Sequence, residues 1–139
     1  MGENDTTRDR FKEIEANFVN PFLVSMYETL EGMGKTKSQR GSACLDRRDS
    51  FDEAAIIAIK VEGEISGLVF ILIREETVKQ LVSTFLLGVP ILEMDEMVSN
   101  SIKEFSLRIC EKARRKLRER GYHANVTHGV NFGDPIKLP

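Results

Sequence analysis

The 139-residue chain is poor in cysteine and histidine, has no long apolar run and carries no excess of charge of one sign. Each shortage excludes a class of function. Cys44 and Cys110 lie far apart without C-x-x-C spacing, so neither a disulfide framework nor a zinc site is readable from them, and cytoplasmic thiols are the default. His123 and His128 share no ligand spacing with either cysteine on one helix, so no metal and no cofactor of the chain's own is expected. The longest apolar stretch, Gly67 to Ile73, is far short of the ~20 residues of a membrane helix and reads as a buried strand. Met1-Gly2-Glu3-Asn4-Asp5 is acidic and polar where a signal peptide needs a positive segment and then an apolar one, so a cytoplasmic location is expected. With 20 Lys+Arg against 22 Asp+Glu the net charge is -2, and no global positive field draws the chain to nucleic acid.

Catalytic signatures are missing as well. No G-x-S-x-G elbow occurs, and no local Ser-His-Asp or Cys-His pattern builds a nucleophile. Gly34-Lys35-Thr36 looks like the end of a phosphate-binding loop, but Thr29 stands where its first glycine belongs, and the segment leaves a helix instead of joining a strand to one.

What is present is ordinary for one folded domain: 41% hydrophobic and 30% charged residues, enough for a single core. Residues 1–16 are charged and read as a flexible tail, leaving residues 17–139 as the domain. Asn20-Pro21 predicts a helix start, with Phe22, Leu23, Met26, Tyr27 and Leu30 at helical spacing and a stop near Gly32 or Gly34. Ser42 to Leu45 reads as a short edge strand. Ala54 to Val61 and Ile65 to Ile73 predict an antiparallel hairpin turning at Glu62-Gly63-Glu64.

Glu75 to Leu87 carries Val78, Leu81, Val82, Phe85 and Leu86 on one helical stripe, ended by Gly88. A long helix follows, from about Glu93 to Arg120, with Val98, Ile102, Phe105, Ile109 and Ala113 on its core face and Gly121 as its stop. Tyr122 to Phe132 alternates as a last strand, and Gly133 to Pro139 is too short for another hairpin. Hairpin-joined strands between helices predict an α+β fold, a mostly antiparallel sheet with one face packed by helices.

Two surfaces on the long helix invite a functional reading. Lys112, Arg114, Arg115, Lys116, Arg118 and Arg120 make its end basic, suited either to an acidic partner or simply to the helix dipole, with Glu111 and Arg115 spaced as an i, i+4 pair. At ~100° per residue, Glu104, Leu107, Arg108, Glu111 and Arg115 share one sector opposite the apolar stripe, with Asn100 at its edge. Periodicity alone fits a plain solvated face with one stray leucine as readily as a partner-binding surface.

The order of segments resembles the CheX branch of the CheC/CheX/FliY family of bacterial chemotaxis phosphatases. Phe18-Val19-Asn20-Pro21-Phe22-Leu23 is similar to the opening of the family's first helix, and Gly63-Glu64-Ile65-Ser66-Gly67 to its G-x-h-x-G strand pair, where h is apolar. Asp95 to Phe105 aligns without gaps on the long-helix motif, and the likeness extends from Phe18 to about Asn131. The resemblance implies a partner: a CheY-type response regulator carrying its own aspartyl phosphate and Mg²⁺. In the family a helix Glu docks on the regulator's active-site lysine, and an Asn three residues later orients the attacking water, a positioning role suited to phosphoryl transfer.

Carried over, the docking residue is Glu104 and the Asn position is Leu107, which has neither amide donor nor carbonyl acceptor. Asn100 stands where the family usually has Asp or Ser, the small-Asn-small stretch becomes Cys110-Glu111-Lys112-Ala113, and the proline of the last strand is missing near Gly129 and Val130. The implied function is docking on the phosphorylated regulator and promoting its dephosphorylation, with the catalytic step compromised at Leu107. The alternative is a non-catalytic binding or sequestering module. Since the family continues into a further hairpin, the sheet is expected to be one hairpin short and a homodimer to cover the exposed edge.

Overall fold

The computed structural model describes residue 13 and residues 15–34, 41, 50–51, 54–133 and 136–137. The strand expected at Ser42–Leu45 and nearly all of the expected tail lie outside them. Helix α1 (Asn20–Gly34) does not start at an Asn20 cap, because a π-helical turn, Glu15–Val19, runs straight into it. Pro21 supplies the physical reason. It lacks an N–H, and its ring crowds the carbonyl one turn back, so the wider turn ahead of it relieves the conflict. On the buried side of α1, Ser25 Oγ donates to the Pro21 carbonyl and Thr29 Oγ1 to the Ser25 carbonyl, each at 2.6 Å. Both hydroxyls are thereby satisfied without leaving the helix.

Strands β1 (Ser50–Phe51), β2 (Ala55–Gly63) and β3 (Gly67–Ile73) come next, followed by helices α2 (Glu75–Phe85) and α3 (Glu96–Glu119), then β4 (Ala124–Phe132) and β5 (Ile136–Lys137). The main sheet runs β3-β2-β4, antiparallel throughout, while β1 and β5 form a separate antiparallel pair. The C-terminal segment, read as too short for another hairpin, pairs instead with β1 over two residues, Ser50 opposite Lys137 and Phe51 opposite Ile136.

The β2–β3 turn also sits later than its Glu-Gly-Glu signal. Glu62 and Gly63 remain in β2 because they pair with Asn125 and Ala124 of β4. Gly63 adopts φ +139°, and a Cβ there would stand 2.6 Å from the His123 carbonyl oxygen. Only glycine lets the two backbones approach this closely.

Alternation decides which sheet face is covered. Ala55, Ile57, Ile59 and Val61 of β2 pack with Val69, Ile71 and Ile73 of β3 and with Val126, Val130 and Phe132 of β4 into the core beneath the helices. Helix α3 contacts β4, α1 and α2, and its expected stripe of Val98, Ile102, Phe105, Ile109 and Ala113 is fully buried, extended by Leu117. Each such aliphatic side chain contributes about 1.5–3 kcal/mol of burial, which fixes the rotation of α3 and hence the sector it turns outward. The α+β arrangement with helices on one sheet face is as the strand order implied.

Element ends moved where caps decide. Helix α3 begins at Glu96, not Glu93, because the Asp95 carboxylate accepts the Val98 N–H at 3.1 Å. It closes as expected at Gly121, with the Tyr122 N–H donating to the Leu117 carbonyl at 2.9 Å. Helix α2 stops at Phe85, two residues early, where the chain turns through Leu87 at φ +59° and Gly88 at φ +93°. Strand β4 starts at Ala124, after Tyr122 and His123 have left that turn. No helix among the described residues is long and apolar enough to cross a membrane.

Candidate docking site on the long helix

Because the apolar stripe of α3 is pinned against β4, α1 and α2, its opposite face stays in solvent. Glu104 lies mid-helix on that face with its side chain about half exposed, and Arg108 Nε, one turn on, donates to Glu104 Oε1 at 3.0 Å. An exposed i, i+4 pair of this kind stabilises the helix by only about 0.3–0.5 kcal/mol, so it orients the carboxylate without committing it. A partner's cation can share or displace Arg108.

Beside Glu104 the surface is hollow, with a volume of about 570 Å³. Met33 at the end of α1, Phe85 and Leu86 at the end of α2, and Met97 on α3 form its apolar wall, while Glu96, Asn100, Ser101 and Glu104 supply its polar rim. The rigid part is the floor: Phe85 packs against the buried Phe105 ring with centroids 5.6 Å apart. Ser101 Oγ is satisfied by its own helix, donating to the Met97 carbonyl one turn back at 2.9 Å. An apolar wall beneath two carboxylates suits a long cationic side chain, whose methylenes pack on methionine while its charged end meets Glu104.

The six residues singled out from the sequence thus divide. Asn100 and Glu104 share the hollow, and Arg108 is tied to it through Glu104. Leu107 is 40% exposed one turn beyond, an apolar side chain facing solvent outside the hollow. Glu111 and Arg115 lie further along in a separate shallow depression of about 200 Å³ with Arg114 and Arg118. The expected Glu111–Arg115 ion pair is absent among the described residues; both side chains are exposed, and an exposed i, i+4 contact is too weak to hold two long side chains in one geometry.

The basic end of α3 is also less uniform than its composition implied. Glu28 of α1 receives Lys116 Nζ at 2.9 Å and Lys112 Nζ at 3.6 Å. The Lys116 hydrogen bond holds the Glu28 carboxyl below the usual 4.5, against the opposing effect of partial desolvation. Those two lysines are struts between helices, leaving the arginines as the outward charge. Among the described residues no cluster of His, Cys, Asp and Glu is arranged to hold a metal. Cys110 is buried, and desolvation pushes its thiol up to about 11, so it is a core side chain without nucleophilic character. His128 Nδ1 lies 2.8 Å from the buried Ser106 Oγ, fastening β4 to α3.

Sequence reasoning missed the hollow itself. Met97 was within its reach, because seven residues place it on the same helical face as Glu104. Met33, Phe85 and Leu86 were not, since they arrive from two other helices.

Solved structures share this architecture. A CheC-like superfamily protein from Shewanella sp. PV-4 superposes with a TM-score of 0.77 at 22% identity, over 88% of this chain and 80% of that one. The chemotaxis protein CheX from Vibrio vulnificus gives 0.75 at 22% identity, over 88% and 82%. The chain has the CheC/CheX fold. A third example with this fold comes from a CheX–CheY–BeF3–Mg²⁺ complex of Borrelia burgdorferi, with a TM-score of 0.69 at 18% identity, over 84% of this chain and 77% of that one. No protein-family model and no curated protein sequence matches the chain.

Proposed function

We propose that the chain is a CheX-like chemotaxis protein that docks on a CheY-type response regulator through the outer face of α3, with Glu104 as the carboxylate that meets the regulator's lysine. The observation that carries this reading is the half-exposed Glu104 at the rim of an apolar hollow, in a fold also found in a CheX solved together with CheY. Chemistry on such a regulator needs little from the helper. The aspartyl phosphate and Mg²⁺ belong to the partner, and the helper has only to hold a water in line with phosphorus.

Leu107 cannot do so, as its side chain neither donates nor accepts a hydrogen bond. The chain therefore binds the regulator without efficiently dephosphorylating it. One observation favours a second reading, variant catalysis: Asn100 carries an amide in the same hollow as Glu104. It lies about 10 Å along the helix axis from position 107 at ~1.5 Å rise per residue, too far to reach the same water in the same docked pose.

Titrating a beryllofluoride-activated CheY-type regulator tests the interface. Glu104→Ala weakens binding by about 2 kcal/mol, since truncating one partner of a desolvated charge pair leaves the other unpaired. Unchanged affinity would sink the interface. β3 and β4 are the outer strands of the β3-β2-β4 sheet, and we propose that a homodimer forms along one of these edges. Light scattering on a size-exclusion column at tens of micromolar should give twice the chain mass, and monomer alone would refute the dimer.

A further inference from the structure

The link from α2 to α3, residues 86–95, puts its large apolar side chains in the wrong place for a mere connector. Leu87 is 97% exposed and Leu92 83%, with Val89 and the following Met97 nearly half exposed. Leu87 moreover holds φ +59°, a left-handed conformation that costs a branched side chain strain and that glycine adopts freely. It gains no burial in return.

The segment is nevertheless built, not slack. Leu87 N–H donates to the Thr84 carbonyl at 3.2 Å and Gly88 N–H to the Ser83 carbonyl at 2.7 Å. Ile91 and Met94 pack inward against the core. A strained, ordered turn that aims leucine at solvent is a surface prepared for something else.

Its position says what that is. Leu86 at one end and Met97 just past the other line the hollow beside Glu104, so the connector continues the docking face. Charge along it and at the start of α3 is one-sided: Glu93 in the connector and Glu96 just after it have no cationic partner among the described residues. A second copy of the chain would meet the strand edges of β3 or β4, whereas this segment joins two helices on the covered side of the sheet. We propose that residues 86–95 form a second contact for the same response regulator, in which Leu87 is a preorganised apolar anchor seated in an apolar depression of a partner surface that also carries cations. This inference rests on the docking reading above.

The test is the same beryllofluoride-activated regulator titrated with the full chain carrying Leu87→Gly or Leu87→Asn. Both residues accept the left-handed turn, so the melting temperature holds or rises, while affinity falls about tenfold or more, as for an interface anchor. Wild-type affinity in both variants overturns the inference, as does an affinity loss that merely tracks a lowered melting temperature. A change of oligomeric mass with unaltered regulator binding assigns the anchor to a second copy and overturns it too. Glu104→Ala separates the two proposals: a loss there with none at Leu87 removes only the second contact. No regulator binding by the wild-type chain removes both.

Discussion

Replacing Glu28 by Gln tests whether the basic end of α3 is held inward or presented to partners. The carboxylate bridges Lys116 Nζ at 2.9 Å and Lys112 Nζ at 3.6 Å, with side chains between 25% and 42% exposed. Coulomb's law in water-like surroundings gives about 1.4 kcal/mol at the shorter separation. Pinning two flexible side chains and salt screening reduce this to about 0.5–1 kcal/mol, with the longer, unbonded Lys112 contact adding about 0.3 kcal/mol. A double-mutant cycle of Glu28→Gln with Lys116→Met, followed by urea unfolding at neutral pH, should return that coupling.

The pH dependence has a defined sign. Glu28 titrates lower in the folded chain than in the unfolded one, so its stabilisation is complete above the ordinary 4.5 and disappears as pH falls through the folded value. The stability difference between wild type and Glu28→Gln should shrink to nothing in strong acid, and regulator affinity should not change. Zero coupling at neutral pH, or a difference that persists unaltered in acid, would refute the strut.

Gly63→Ala and Gly121→Ala both place a side chain at positive φ, but only the first meets backbone, the His123 carbonyl oxygen at 2.6 Å. Chemical denaturation should show about 1–2 kcal/mol lost at Gly121 and about 3 kcal/mol or more at Gly63, and equal losses would contradict the close β2–β4 approach. Phe105→Ala removes the ring beneath the hollow and should cost about 3–5 kcal/mol by urea unfolding, a loss below 1 kcal/mol being incompatible with its buried place. In a Cys44→Ser background, Cys110 with its thiol pushed up to about 11 should resist iodoacetamide at mildly alkaline pH until urea unfolds the chain. Rapid labelling of the folded protein would show the thiol to be accessible.

The long helix was legible because Val98 to Ala113 repeat with one period and Gly121 marks its end, while its start falls three residues after the expected Glu93; the same period placed Asn100, Glu104, Leu107 and Arg108 outward. The β2–β3 hairpin was legible from its β-branched runs. Local signals failed where distant residues decide. Glu62 and Gly63 stay in β2 because β4 pairs with them, and β5 exists because Ser50 and Phe51 lie opposite it. Asn20-Pro21 reads equally well as a cap or as the residue after a π turn, since a missing N–H is tolerated in both settings. Glu28 finds Lys116 across 88 residues and His128 finds Ser106 across 22, contacts that no periodicity displays. For the same reason the hollow, assembled from three helix ends, was invisible while its rim on α3 was not.

Following the decay of a phosphorylated CheY-type regulator in the presence of wild type, Leu107→Asn and the double variant Leu107→Asn with Glu104→Ala tests the central claim most directly. The wild-type chain should bind without speeding decay, Leu107→Asn should accelerate it about tenfold or more by restoring an amide that positions water, and removing Glu104 should abolish that gain. Strong acceleration by the wild-type chain, or a Leu107→Asn gain that survives loss of Glu104, would contradict it.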